Sequence, residues 1–385
     1  MKILALENPN KMDYDELCEL ANDEFLNGKY ESACKLWERA AKISGEDLNK
    51  KVELSNNWLF SSPGIAYYYQ DAQRRLDDEK MRTVCETAEE YEKLMKEMRE
   101  QGHAEACVYY AKKAREMGSA HALNRLGICL LTGKGIEQDV AAGLAFVKES
   151  AEKGSVYGLY NMGLYYMQGK YGLEQNAEKG VTYYKKAAEL GLGLAAKKVG
   201  QSYQVGKGVP KDFDEAEKWY KKAVDLDETS ANYELAWMYR TGEGGKNNPE
   251  LRDMYYDKAV EKWNKNACAE VGGMYLEGNM RAQNLELAEK YLTYAAKEGV
   301  ASSQANLGLM YYFEDYGGKV DIMRSFYWSR VGAESGNATA QYMTGMMYLR
   351  GESPVRDEEK GWKWLEKAAE NGHSSAKKML ENKDK

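Results

Sequence analysis

A small residue returns at Gly127, Gly163, Gly200, Ala236, Gly272, Gly308 and Gly345, in steps of 36, 37, 36, 36, 36 and 37. No other feature constrains the chain so tightly. A period of this length means stacked supersecondary units, because one unit cannot bury its apolar face alone and must bury it against its neighbours. Other columns keep step with the glycine. Five before it lies a small residue (Ala122, Gly158, Ala195, Ala231, Ala267, Ser303, Ala340). Three after it stands Leu130, then Tyr166, Tyr203, Tyr239, Tyr275, Tyr311 and Tyr348. Six after it comes a stop glycine (Gly133, Gly169, Gly206, Gly242, Gly278, Gly351), with Glu314 the exception. Glycine suits the end of a helix because it takes positive φ without strain.

The second half of each unit has its own columns. A close-packed pair recurs at Ser150-Ala151, Ala187-Ala188, Ala223-Val224, Ala259-Val260, Ala295-Ala296, Gly332-Ala333 and Ala368-Ala369. Four residues earlier stands a large one: Phe146, Tyr183, Trp219, Tyr255, Tyr291, Trp328, Trp364. Positions i and i+4 share one helix face. Each unit is therefore expected to be a helix A of roughly 12 residues, a loop, and a helix B of roughly 15. The large column is expected to be core, so Trp219→Ala should cost roughly 3–5 kcal/mol. Leucine at Gly163 should overpack the A–B contact by about 1–3 kcal/mol. Helix B ends at Gly154, Gly191, Gly299, Gly336 and Gly372, while Asp227 and Trp263 break that column.

The pattern resembles the Sel1-like repeat family, a relative of the tetratricopeptide repeat. Copies such as "ANLGLMYYFE" and "AEKWYKKAV" carry the likeness most clearly. It implies an all-α, right-handed α-solenoid of stacked antiparallel helix pairs, used as an interaction scaffold with no common substrate. Residues 119–373 are read as seven such repeats. Residues 1–48 are read as an ordinary tetratricopeptide-like hairpin, on Ala21, Phe25, Gly28, Tyr30, Ala33, Trp37 and Ala40, with Asp13 and Glu16 as a capping-box-like start. Residues 49–118 are expected to be irregular helices continuing the stack, broken at Pro63-Gly64, with "KMRTVCETAEEYEKLMKEMRE" as one helix. Residues 374–385 are read as a capping helix and tail.

"GKGVPKDFDEAEKWYKKAV", from Gly206, is a glycine-rich loop running into a helix. A phosphate loop needs G-x-x-x-x-G-K-[ST] after a strand. This stretch follows a helix, has no Ser or Thr after the lysine, and recurs at residues 133–151 and 351–369. It is read as architecture. The three histidines, His103, His121 and His373, fall at turns into helices. No H-E-x-x-H, G-x-S-x-G or Cys/His ligand cluster is present, so zinc chemistry and triad hydrolysis lack their parts. The chain is read as non-enzymatic, with no cofactor or metal.

The net charge of −7 argues against nucleic acid, whose binding needs a basic surface. No apolar run approaches ~18 residues, so no membrane span is expected. The N-terminus shows no full signal-peptide pattern. The six cysteines (Cys18, Cys34, Cys85, Cys107, Cys129, Cys268) show no framework and are read as free thiols, which with the missing export signal points to a cytoplasmic protein.

The family likeness implies that helix A lines a concave face. Positions three before, one after and four after the glycine should then point inward. The first set is Asn124, Tyr160, Lys197, Tyr233, Ala269, Ala305 and Tyr342; the second is Ile128, Leu164, Gln201, Trp237, Gly273, Leu309 and Met346. The third is Leu131, Met167, Gln204, Arg240, Leu276, Tyr312 and Leu349. Tyr233, Trp237 and Arg240 put three hot-spot residue types on one helix face. Each such residue has a competing use, packing against the next repeat. The leading reading is a scaffold or adaptor holding a peptide or protein in this groove. The alternative is an inhibitor or immunity-type protein that blocks an enzyme or toxin with its loops or convex face.

Overall fold

The computed structural model describes residues 17, 20–21, 24, 29–44, 85–313, 320–354 and 356–383. Among them every regular element is a helix. The chain divides into two compact units, Met1–Gly191 and Leu192–Lys385. The first holds α1 (Tyr30–Ser44), α2 (Ala88–Glu100), α3 (Ala104–Glu116), α4 (Ala120–Thr132), α5 (Val140–Glu152), α6 (Val156–Gln168) and α7 (Ala177–Glu189). The second holds α8 (Gly193–Val205), α9 (Phe213–Asp225), α10 (Ala231–Thr241), α11 (Pro249–Glu261), α12 (Lys265–Glu277) and α13 (Leu285–Lys297). It continues with α14 (Ala301–Tyr312), α15 (Ile322–Glu334), α16 (Ala338–Arg350), α17 (Glu358–Glu370) and α18 (Ser374–Lys383). Helices pair as α4–α5, α6–α7, α8–α9, α10–α11, α12–α13, α14–α15 and α16–α17. These are the A and B helices of seven repeats, two in the first unit and five in the second.

Local chemistry sets the boundaries. Each helix B begins at an Asp or Asn whose side chain accepts from the first-turn amides: Asp139, Asn176, Asp212, Asn248, Asn284, Asp321 and Asp357. An N-cap of this kind contributes about 1 kcal/mol. It sets the start of helix B, which is 13 residues long in every repeat, shorter than the sequence suggests. In the loop before α9, Gly206 and Gly208 sit at φ +74° and +76°, and the chain doubles back so that the Asp212 amide donates to the Tyr203 carbonyl at 2.9 Å. The glycines there serve a tight A–B turn.

The A–B contact is closest at the glycine column. A Cβ added at Gly163 or Gly200 would stand 2.7 Å from the ring of Tyr184 or Tyr220; at Gly272 and Gly345 it would meet Leu292 at 2.8 Å and Leu365 at 2.9 Å. This corrects the core assignment by one residue. The fully enclosed column of helix B is Val147, Tyr184, Tyr220, Tyr256, Leu292, Ser329 and Leu365, all at 2% exposure or less. The expected column, Phe146 to Trp364, is half-buried except for Tyr255. Its rings stack on the helix-A tyrosines instead: Tyr166 on Tyr183 at 5.7 Å, Tyr239 on Tyr255 at 5.8 Å, Tyr275 on Tyr291 at 6.4 Å. The same tyrosines tie repeats together. Tyr239 donates to Glu217 of the preceding helix B at 2.6 Å, and Tyr311 to Glu289 at 2.5 Å.

Repeats six and seven depart from the apolar pattern. Ser329 on α15 stands where the other six copies carry Val, Tyr or Leu, and Thr344 on α16 where they carry Leu, Met or Val. Both are fully buried, and neither hydroxyl oxygen has a hydrogen-bond partner among the described residues.

At the ends, Ala33, Trp37 and Ala40 are fully buried on α1. Phe25, Gly28, Asp13, Glu16, Pro63, Gly64 and Glu314 lie outside the described residues. The helix expected over residues 80–100 starts at Ala88, because Thr87 and Glu90 form a reciprocal capping box; residues 80–84 also lie outside the described part. Helix α18 covers the last pair with Ala376, fully buried, and with Met379 and Leu380. No described helix is long and apolar enough to cross a membrane.

Candidate functional site

The A helices present the three expected columns in three different ways. The column one after the glycine is the open one: Leu164, Gln201, Trp237, Leu309 and Met346 are all half-buried. Trp237 carries the Arg240 guanidinium 5.3 Å above its ring and lies 6.3 Å from the Tyr233 ring.

The column three before the glycine is mixed. Tyr233 is half-buried, and its phenol is pushed up by burial and by the nearby Glu270 carboxylate. Tyr160 packs 5.4 Å from Tyr184, and Tyr342 stacks on His373 at 4.3 Å. Lys197 is taken up by Glu228 at 3.3 Å and by the Ser230 hydroxyl. Asn124 and Ala305 are buried.

The column four after the glycine mostly faces its own helix B. Met167 and Leu349 fill the space over Gly180 and Gly361, where an added Cβ would meet them at 2.6 and 2.8 Å. Gln204 accepts from the Tyr220 hydroxyl at 2.6 Å and donates to Glu243 at 2.6 Å. Tyr312 donates to Glu352 at 2.9 Å and accepts from Arg350 at 2.6 Å. Leu276 is a correction: at 3% exposure it belongs to the core with Leu292 and Leu307, not to a surface. Leu131 is buried for the same reason, over Gly143.

A fourth column, two before the glycine, escaped the sequence reading. It holds Asn161, Lys198, Glu234, Glu270 and Asn306, polar and half-buried. Its members bond to the preceding repeat: Asn161 donates to Asn124 at 2.9 Å, Gln201 donates to Glu234 at 3.0 Å, and Arg240 is ion-paired with Glu270. The signal was a run of polar residues inside otherwise apolar helices, at one fixed offset. Burial raises the Glu234 carboxyl, against the opposing pull of Gln201, Lys197 and Lys198. Burial, then Lys197, lowers the Lys198 ammonium.

The face thus offers a half-exposed apolar and aromatic line flanked by amides and paired charges. That is suited to holding an extended chain by shape, stacking and hydrogen bonds. Among the described residues no three His, Cys, Asp or Glu side chains converge to hold a metal ion. His103 and His373 stand at helix entries, where His373 Nδ1 accepts the Ala376 amide at 3.3 Å.

Comparison with known proteins agrees with this architecture. The Sel1 repeat matches seven times, at residues 120–155, 156–192, 193–228, 229–251, 265–300, 301–337 and 338–373. The fourth match stops short at residue 251, one residue before Arg252, which stands where the other copies carry Gly143, Gly180, Ala216, Ala288, Ser325 and Gly361. No curated protein is significantly similar. Among solved structures, a protective antigen of uropathogenic Escherichia coli with an SLR fold is 23% identical, with 94% of this chain and 78% of that chain covered and a TM-score of 0.59. A Sel1 repeat protein from Oxalobacter formigenes is 24% identical over 87% of this chain and 89% of that one, also at 0.59. An immunity protein from Pseudomonas aeruginosa is 22% identical over 57% and 82%, at 0.38, too distant to bear on function. The solved structures share the fold, the repeat matches carry the register, and on these grounds the chain belongs to the Sel1 repeat family.

Proposed function

We propose that the protein is a non-enzymatic interaction scaffold that holds a peptide or protein partner along its helix-A face. The observation that carries this reading is the column one after the glycine. It is half-exposed in every repeat, and in the fourth repeat it places Trp237 between Tyr233 and Arg240. Aromatic and arginine side chains grouped in this way are the usual energetic centres of an interface. Gln201, Arg240 and Glu270 then act as rim groups whose existing bonds hold them in place for a partner.

A photo-crosslinking residue at position 237, in native lysate, tests this directly. Protein adducts are expected there and not at Lys218 on the exposed side of α9. Trp237→Ala should then weaken the identified partner by about 1–3 kcal/mol without lowering Tm. Equal adduct yields at 237 and 218 would remove the basis for the reading.

A further inference from the structure

Two thiols meet where the array of repeats begins. Cys107 on α3 and Cys129 on α4 are 3% and 6% exposed and share one buried core with Tyr110, Ala111 and Leu126. The Cys107 thiol donates a hydrogen bond to the Cys129 sulfur. The repeat register accounts for the encounter. Cys107 stands where the B helices carry Gly143 or Ser325, and Cys129 stands two after Gly127, so the two are 22 residues apart. Ser325 and Met347 hold the same two positions, also 22 apart, at the step from the sixth repeat to the seventh. There the hydroxyl oxygen lies 3.9 Å from the sulfur. At the six later steps the first position carries Gly, Ala, Arg or Ser and the second carries Tyr, Ser or Met. The first step alone sets two cysteines at this point of contact.

The pair is unequal, and the inequality has a chemical use. The thiolate is the nucleophilic form of cysteine. The bond from Cys107 holds the Cys129 thiol down to about 7, with Arg125 and Lys134 pulling the same way against burial. Cys107, the donor, moves up through that bond and through burial. The other thiols have no such partner effect: burial pushes Cys268 up to about 11, and burial, then Glu90, raises Cys85. A nucleophilic sulfur therefore lies against a second sulfur able to resolve it, the arrangement that peroxide-sensitive cysteines use. Cys129 also keeps a small opening, whereas Cys268 has none. Hydrogen peroxide, little larger than water, is the oxidant such an opening admits.

We propose that Cys107 and Cys129 form a redox lock, a reversible disulfide made on exposure to hydrogen peroxide that ties α3 to α4. The Cys129 thiolate attacks one peroxide oxygen, the O–O bond breaks, and the departing hydroxide takes up a proton as water. Cys129 is then a sulfenic acid, oxidised by two electrons, and the peroxide is reduced. The Cys107 sulfur attacks the Cys129 sulfur, the S–O bond breaks, and the Cys107 proton leaves with that hydroxyl as a second water. Two thiols and one peroxide thus give one disulfide and two waters, and a dithiol reductant reverses the bond. The closed loop runs through the Gly118 turn and joins the α2–α3 pair to the first repeat. A cross-link of this kind restricts the unfolded chain and so favours the folded one. The lock does not rest on the reading of the helix-A face.

The test uses the full chain, reduced and then titrated with hydrogen peroxide while folded. Remaining thiols are alkylated, and the peptides are mapped by mass spectrometry without reduction. A Cys107–Cys129 cross-linked peptide should appear at lower peroxide than any oxidation of Cys34, Cys85 or Cys268, and dithiothreitol should remove it. The oxidised chain should melt higher than the reduced one. Two variants separate the roles, and each places at its position a residue that the register already carries elsewhere. Cys107→Ala, which matches Ala216 and Ala288, should lose the cross-link and leave Cys129 as a sulfenic acid that dimedone labels. Cys129→Ser, which matches Ser202, should leave Cys107 unoxidised over the same range. The proposal is overturned if peroxide oxidises Cys85 while Cys107 and Cys129 still alkylate, or if wild-type Cys129 passes to sulfinic acid with no disulfide. It is overturned as well if the bond forms and the chain melts lower, since the bond would then be damage to a core and not a lock.

Discussion

Tyr220 is fully enclosed, its ring lying against Gly200, while the adjacent Trp219 is half-buried with the Lys222 ammonium 4.8 Å above it. The two side chains leave the same helix about 100° apart, and that rotation decides which one carries the fold. Tyr220→Ala opens a cavity at the A–B contact and loses the bond to Gln204, so it should cost roughly 3–5 kcal/mol. Trp219→Ala should cost about 1–2 kcal/mol, since much of its ring remains in contact with water before and after folding. Urea denaturation of the two variants side by side measures both; equal losses would return Trp219 to the core. The wrong neighbour was chosen from sequence because Trp, Tyr and Phe crowd the outer column, whereas the inner one mixes Val, Tyr, Leu and Ser. Size suggested burial, but the glycine opposite admits one side chain only, and that partner is set by rotation about the helix, not by bulk.

At the scale of elements, Glu217 joins two helices and the loop that follows them. It lies on α9, accepts from Tyr239 of α10 at 2.6 Å, and takes Lys246, just beyond the turn that follows α10, at 2.6 Å. Lys221 of α9 completes the cluster at 2.6 Å. Burial alone would raise this carboxyl, but the bonds from Lys221, Lys246 and Tyr239 outweigh it and hold it at about 2. A carboxyl depressed in the folded state stabilises above its ordinary value of 4.5 and loses that contribution as pH falls toward about 2. With the side chain 14% exposed and some screening, the contribution should be on the order of 1–2 kcal/mol. Wild type should therefore exceed Glu217→Gln by that amount at pH 6, with the gap closing toward acid in stepped-pH denaturation. A gap that ignores pH would mean the bonds are of shape and not of charge. The helices and their pairing were legible because period, stop glycines and small pairs all report the same contact. The helix-A face was less so. Leu276, Met167 and Leu349 share an offset with Gln204 and Arg240, and only the depth of the facing helix B decides which of them turns inward. The Asp and Asn caps of helix B stood in the sequence at a fixed offset as well, obscured by acids on either side.

At the scale of the whole molecule, a repeat array is held by neighbour-to-neighbour contacts, so its stability is uneven along its length. Ser329 and Thr344 put two buried, unpartnered hydroxyls into consecutive helices of the second unit. Each leaves a polar group desolvated, at about 1–3 kcal/mol. Thr344→Val removes one at nearly constant volume and should stabilise the protein by about 1 kcal/mol, read from the shift in the urea midpoint. A destabilised variant would mean that the hydroxyl has a partner after all. Within the unit, amides of α15 and α16 should exchange faster than those of α9 and α13. The same two side chains bear on mechanics. Pulled between Leu192 and Lys385, the unit should not peel evenly from its ends. It should yield first in its sixth and seventh repeats, around Ser329 and Thr344, while the earlier repeats still bear load.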